Sequence, residues 1–278
     1  MKLVSFSTGD GRIRPGALFD EGKLVVDLSA AGYSDALAVI AAGVNAIDKG
    51  AYPGYRLDQV KLHAPLKNPP RIFAIGLNYR DHAAESKMEL PKVPVVFFKL
   101  HTSIIGPGEA IVLPKATTQP DYEAELAFVI GKGGYRIPAS AWRDHVYGFT
   151  IANDVSARDV QFATSQWSMA KSFNTFCPLG PAIVTTDEIA DPHKLAISLT
   201  IDGETLQSSN TRELVFGIPE LVEYISSIAP LLPGDIVSTG TPGGVGLGRT
   251  PKRWLKPGET VTVSVEGLGS LTNPVVAE

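Results

Sequence analysis

The sequence predicts an α+β chain that is mostly β. Short runs rich in β-branched and aromatic residues recur along its length, separated by turn residues. Gly (27) and Pro (21) are both abundant, as many turns between short strands require. Helical patterning is confined to a few segments, which argues against regularly alternating βα units.

Residues 1–66 read as a small N-terminal α/β unit. Strands are expected within 6–18 and over 23–27, around turns, and a helix over 35–48, with Ser34 as its cap and Gly50 after its end. The run Ala64-Pro65-Leu66-Lys67-Asn68-Pro69-Pro70 holds neither helix nor central strand and is the expected linker. Residues 67–278 then form the larger unit. Its expected strands are 71–75, 95–98, 110–113, 123–130, 146–152, 182–185, 196–201, 236–239 and 261–266. Its helices are one after Asn78, one after Ser156 and one over 218–228.

Composition excludes several classes. The formal net charge is −4, from 25 basic and 29 acidic residues, with no basic stripe, so nucleic acid is not an expected partner. No run of about 18 apolar residues exists to cross a membrane, and the first residues lack the apolar stretch of a signal peptide. A cytoplasmic protein is expected. Cys177 is the one cysteine, which rules out an internal disulfide; between Phe176 and Pro178 it reads as a buried structural thiol.

Glu123 and Glu125 are two apart in a strand-like run, so their carboxylates share a face. Like charges at that spacing repel, and a bound cation offsets the cost most simply. Glu-x-Glu alone is equally the pattern of a solvated strand edge. Asp154 follows the next strand at a turn into a helix, where it is either a protruding ligand or an ordinary turn residue. Together the three offer an all-oxygen donor set, suited to Mg²⁺, Mn²⁺ or Ca²⁺, with positions left for substrate or water. His82 and Glu85 lie three apart on one helical face, the arrangement of a carboxylate-oriented general base and also of a plain surface pair. Lys171, with Arg158 and Gln161, offers donors to a developing oxyanion, although a surface charge is the usual role of such a lysine. The Gly-rich run from Gly240 to Gly248 fits neither a P-loop nor a dinucleotide fingerprint; it reads as a loop that brings backbone and Thr241 close to a small ligand.

These segments, in this order, resemble the fumarylacetoacetate hydrolase family: Gly76-x-Asn78-Tyr79-x-x-His82-x-x-Glu85, Gly106-Pro107-Gly108, Asp121-Tyr122-Glu123-x-Glu125-Leu126, Asn153-Asp154-x-Ser156-x-Arg158-Asp159-x-Gln161, Lys171-Ser172-Phe173, Leu179-Gly180-Pro181, Pro233-Gly234-Asp235 and Gly240-Thr241-Pro242-x-Gly244-Val245-Gly246. The resemblance implies a mixed β-roll catalytic domain behind a small N-terminal domain, and a homodimer. It implies Glu123, Glu125 and Asp154 as ligands of Mg²⁺ or a similar ion, and His82 and Glu85 as a dyad on a lid; beside them Lys171 is expected to be catalytic, and Arg158, Gln161, Tyr79 and Thr241 to be substrate contacts. Leu100-His101 follows Phe98-Lys99 where the family commonly has Lys-Pro, and neither Lys99 nor His101 receives a role.

The activity first expected is metal-dependent hydrolysis of a carbon–carbon bond in a small β-diketo acid or acylpyruvate. The same chelation serves the alternative, decarboxylation of an oxaloacetate-type β-keto acid or isomerisation of a 2-hydroxy-diene-dioate, and the resemblance does not choose among them. A non-catalytic, metal-dependent binder has no use for the His82–Glu85 pair.

Overall fold

The computed structural model of the chain describes residues 1–85 and 89–278. As the sequence predicts, the described residues are mostly β. They form a 12-stranded sheet, a five-stranded sheet and a two-stranded ladder.

The strand Ala124–Ile130 lies near the middle of the large sheet, antiparallel to Val146–Asn153 on one side and Ile236–Ser238 on the other. All its residues are buried. Leu126, Phe128 and Ile130 enter one core with Leu199, Val261 and Val263 of the five-stranded sheet. Ala127 and Val129 point the opposite way, into a second core with Leu28, Val39 and Ile40 of the N-terminal segment. Burial on both faces explains why this strand reads as a continuous apolar run rather than an alternating one. Each large side chain so enclosed contributes about 1.5–3 kcal/mol of transfer free energy.

The N-terminal strand Lys2–Ser7 pairs with Arg14–Phe19, with Lys61–His63 and, through Lys2 and Leu3, with Cys177–Thr185 of the larger unit. The two-unit division at residue 66 is proposed on the proline-rich 64–70 segment; the sheet itself runs across it.

Several local expectations are corrected. The first helix covers only Ala36–Ala41, and Asp35 rather than Ser34 caps it, its Oδ1 accepting from Ala38 N at 2.8 Å. Gly43 follows at φ +68°, which ends the helix well before residue 48. Asn78 does not cap the Arg80–Glu85 helix. Its Nδ2 donates to Phe216 O (3.0 Å) and Thr239 O (2.8 Å), and its Oδ1 accepts from Phe216 N (2.8 Å), so it clamps three segments. Ser156 lies in the short strand Ser156–Ala157, paired with Pro120–Asp121, instead of capping the Arg158–Gln161 turn. The strand Glu204–Asn210 was not foreseen because its sequence is polar, yet Asp202 and Gly203 both have positive φ, as an Asp-Gly hairpin turn requires. The long last strand, Gly269–Ala277, was also missed.

Candidate metal and active site

Register builds the site. Ala124 is paired with Asn153 at the end of the central ladder, so the next residues, Glu123 and Asp154, emerge side by side; Asp154 N donates to Glu123 O at 2.9 Å. Asn153 Oδ1 accepts from Glu123 N at 3.1 Å and fixes the turn. Glu125 projects beside them. Glu123, Glu125 and Asp154 each place a carboxylate oxygen within 4.8 Å of the others, and all three are buried. The solvated-edge reading of Glu-x-Glu does not hold.

Buried carboxylates at this spacing require compensation, and three cations supply most of it. Lys171 Nζ donates to Glu123 Oε2 (2.6 Å) and Asp154 Oδ2 (2.9 Å). Arg158 uses Nη2 on Glu123 Oε1 (2.6 Å), Nε on Asp121 Oδ2 (2.8 Å) and Nη1 on Gln161 Oε1 (2.9 Å). Lys99 Nζ donates to Asp154 Oδ1 (2.7 Å) and to the Lys171 carbonyl. Lys171 is therefore no surface charge. Burial alone would raise the Glu123 carboxyl, but Lys171 and Arg158 outweigh it and hold the group down at about 2. Among the described residues, Glu125 accepts from Ser238 Oγ (2.5 Å) and Gly240 N (2.9 Å) alone. Burial, then the charges of Asp154 and Glu123, push it well above the ordinary carboxyl value. Four carboxylates face three cations, so the cluster carries one negative charge once Glu125 is ionised. The oxygen-only donor set and this residual charge fit a hard divalent cation.

A small chamber of about 50 Å³ opens onto these groups, lined by Glu123, Glu125, Lys171 and Arg158 below and by His82 and Thr241 at the side. Thr241 Oγ1 accepts from Gln207 Nε2 at 2.8 Å, which fixes its position. His82 Nδ1 is 3.8 Å from Glu85 Oε2, and this nitrogen is buried with no hydrogen-bond partner among the described residues. The neighbouring His82 and the Gly244 N–H, 2.9 Å away, hold the Glu85 carboxyl below its usual range. Tyr79 behaves differently from the expectation. It is fully buried, its hydroxyl has no partner among the described residues, and it is not part of the chamber wall.

The Gly-rich loop reaches the chamber through Thr241. Its glycines approach protein groups rather than open space. A Cβ on Gly248 would stand 2.5 Å from Glu85 Cδ, and one on Gly244 would stand 2.2 Å from Leu206 O. The loop thus cups the dyad. Asp121 holds it in place, its carboxylate accepting from Gly246 N (2.7 Å), Leu247 N (3.0 Å) and Arg158 Nε.

Sequence reasoning missed Lys99 and Asp121, although both left a signal. Lys99 shares strand parity with buried Phe97, an unusual face for an unpaired lysine. Asp121, Glu123 and Glu125 form an every-second-residue series of acids. Trp167, whose ring meets Phe97 edge-on at 5.7 Å and lines the chamber, had no legible signal.

Residues 71–276 match the sequence model described as fumarylacetoacetate (FAA) hydrolase C-terminal. The mitochondrial oxaloacetate tautomerase fahd2 of Xenopus laevis is 41% identical over 291 residues, covering 99% of this chain and 90% of that protein. Oxaloacetate tautomerase YisK of Bacillus subtilis is 43% identical over 225 residues, 80% of this chain and 75% of that protein. The solved fumarylacetoacetate hydrolase of Exiguobacterium antarcticum superposes with a TM-score of 0.90 at 36% identity, over 100% of both chains. No helix among the described residues is long and apolar enough to cross a membrane. With the ordered motifs, the fold and the buried carboxylate triad in agreement with these matches, the chain belongs to the fumarylacetoacetate hydrolase family, a family of enzymes.

Proposed function

We propose that this protein is a divalent-metal-dependent isomerase that interconverts the enol and keto forms of a small 2-oxo dicarboxylic acid of the oxaloacetate class. The observation that carries this reading is the placement of His82: its Nδ1 faces Glu85 at 3.8 Å, and its side chain lines the same chamber as Glu123 and Glu125. A tautomerase needs one base placed beside a bound 2-oxo acid, and it needs no positioned water. The chamber's volume, about 50 Å³, has room for only a few water-sized groups and suits a compact acid head. The relatives named as oxaloacetate tautomerases support isomerisation over the hydrolysis first expected.

Glu123, Glu125 and Asp154 would hold the ion, Mg²⁺ or Mn²⁺ with Ca²⁺ as a further candidate, which when bound supplies chelation of the 2-oxo acid and polarisation of its carbonyl. His82, oriented by Glu85, takes a proton from the carbon next to that carbonyl. The C–H electron pair moves into the new C=C bond, and the carbonyl π pair moves onto oxygen. Lys171 has three protons, two of them in bonds to Glu123 and Asp154; the third is available to the enolate oxygen. Transfer of the proton held on His82 to that oxygen, within the same chamber, completes the enol and returns His82 to its neutral form, and the reverse path gives the keto form. Arg158 and Gln161 hold the floor of the chamber and favour an anionic ligand. A homodimer is proposed as well. Its support is the exposed apolar set Phe98, Leu100 and Met169, which the bonds from Phe98 N to Ser168 Oγ and Leu100 N to Ser172 Oγ bring to one edge.

The test is to follow the enol absorbance of oxaloacetate with and without Mg²⁺ or Mn²⁺, with pyruvate release measured in parallel. Metal-dependent acceleration of enol–keto exchange without matching pyruvate release is expected. Cleavage of an acylpyruvate with no effect on the oxaloacetate exchange would return the assignment to hydrolysis.

A further inference from the structure

The chamber opens outward into a cleft of about 390 Å³, in the size range of small-molecule sites. The two share Leu77, His82, Arg158, Gln161 and Trp167. Much of the cleft wall is apolar, from Leu77, Trp167, Leu247 and the largely exposed Phe162. Its charged groups are unequal. Each Arg158 nitrogen already donates to Asp121, Glu123 or Gln161. His82 and Glu85 face each other at 3.8 Å. Lys252 is exposed and forms no ion pair with a carboxylate among the described residues. Its Nζ donates to the Leu247 carbonyl at 2.5 Å, while Leu247 N is held by Asp121, the acid that also holds Arg158. The ammonium is thus anchored beside the cleft by a backbone tied to the site's floor, without a carboxylate partner among the described residues.

We infer that the cleft is a subsite for a second anionic group of the ligand, carried outward past an apolar spacer, and that Lys252 is the specificity-determining residue that recognises it. This rests on the reading of the inner chamber as a 2-oxo acid site. An apolar wall ending in an ammonium that has no carboxylate partner among the described residues is complementary to a chain that ends in a carboxylate, and it gives a neutral chain of the same length nothing to pair with.

Calorimetry on the Mg²⁺-loaded protein tests this with three probes: oxalate, which presents only a chelating head, 2-oxohexanoate, and 2-oxoadipate, which adds the distal carboxylate. The expected result is that 2-oxoadipate binds about fivefold more tightly than 2-oxohexanoate, the range of a partly exposed ion pair, and that the preference shrinks with added salt. Lys252→Met should abolish the preference and leave oxalate affinity unchanged, while Lys252→Arg should keep it. Equal wild-type affinities for the two longer acids, or a preference that survives Lys252→Met, overturns the inference while the chamber assignment stands. Failure of all three acids to bind, oxalate included, overturns the chamber assignment and the inference with it.

Discussion

Lys171 Nζ lies 2.6 Å from Glu123 Oε2, with both side chains buried. The same ammonium reaches Asp154 at 2.9 Å, and Asp154 takes a second cation from Lys99 at 2.7 Å. Glu123 is thereby kept ionised where burial would otherwise neutralise it. A cation inserted by the fold itself, beside the space a metal would fill, makes the site interdependent.

Removing one partner of a buried pair strands the other charge. Lys171→Met should therefore cost the metal-free protein about 3–5 kcal/mol in denaturant unfolding, and lower kcat by about 10²-fold or more. Lys99→Met should show the stability loss with a smaller effect on kcat. A Lys171→Met variant within a few-fold of wild-type turnover would remove Lys171 from the chemistry.

Glu123→Ala, Glu125→Ala and Asp154→Ala should each lose Mg²⁺ and Mn²⁺ binding by calorimetry while keeping the wild-type circular dichroism spectrum. Unchanged affinity in all three would sink the metal assignment.

Glu125 gives a pH test. Burial, then Asp154 and Glu123, raise its folded pKa above the usual carboxyl value of 4.5. The folded state therefore binds this proton more tightly than the unfolded chain does. Its contribution to stability is fully present below the unfolded pKa and is lost as pH rises through the folded one. Metal-free Glu125→Gln, which stays neutral, should melt higher than metal-free wild type at pH 8, although it binds no ion. A lower melting temperature would show that Glu125 is already compensated.

His82→Ala should abolish enol–keto exchange by roughly the 10²–10⁴-fold typical of a lost general base. Any decarboxylation of chelated oxaloacetate should be spared much more, because that step needs mainly an electron sink. Glu85→Gln should act in the same direction but less strongly. Both reactions are assayed on the same preparations with saturating metal, and exchange that survives in His82→Ala would place the base elsewhere.

Gly248→Ala should resemble Glu85→Gln. Its new methyl would meet the Glu85 carboxyl at 2.5 Å and push it away from the Gly244 N–H, while Gly248 itself has an ordinary φ. The expected signature is a fall in kcat with nearly unchanged melting temperature. Wild-type turnover would mean that the position of Glu85 does not matter.

Much of this protein is legible in its sequence. Strand-forming runs and turn residues predicted the mostly β fold, and the 196–201 strand and 218–228 helix have the predicted bounds. The ordered motifs pointed to the family, and period-two spacing put Glu123 and Glu125 on one face. These are local properties, set by side-chain alternation and backbone preference within a few residues. The tertiary structure decided what depends on register and burial. Pairing Ala124 with Asn153 is what sets Glu123 beside Asp154, and a shift of one residue would turn each acid to the opposite face. The roles of Lys99 and Asp121 became visible only when strands distant in sequence closed around Asp154 and Arg158, since a charge reveals its partner only once both leave water. The buried seat of Tyr79, the clamp made by Asn78 and the turn of the Gly-rich loop toward Glu85 belong to the same class: each is fixed by packing between segments far apart in the chain, which a linear pattern does not encode.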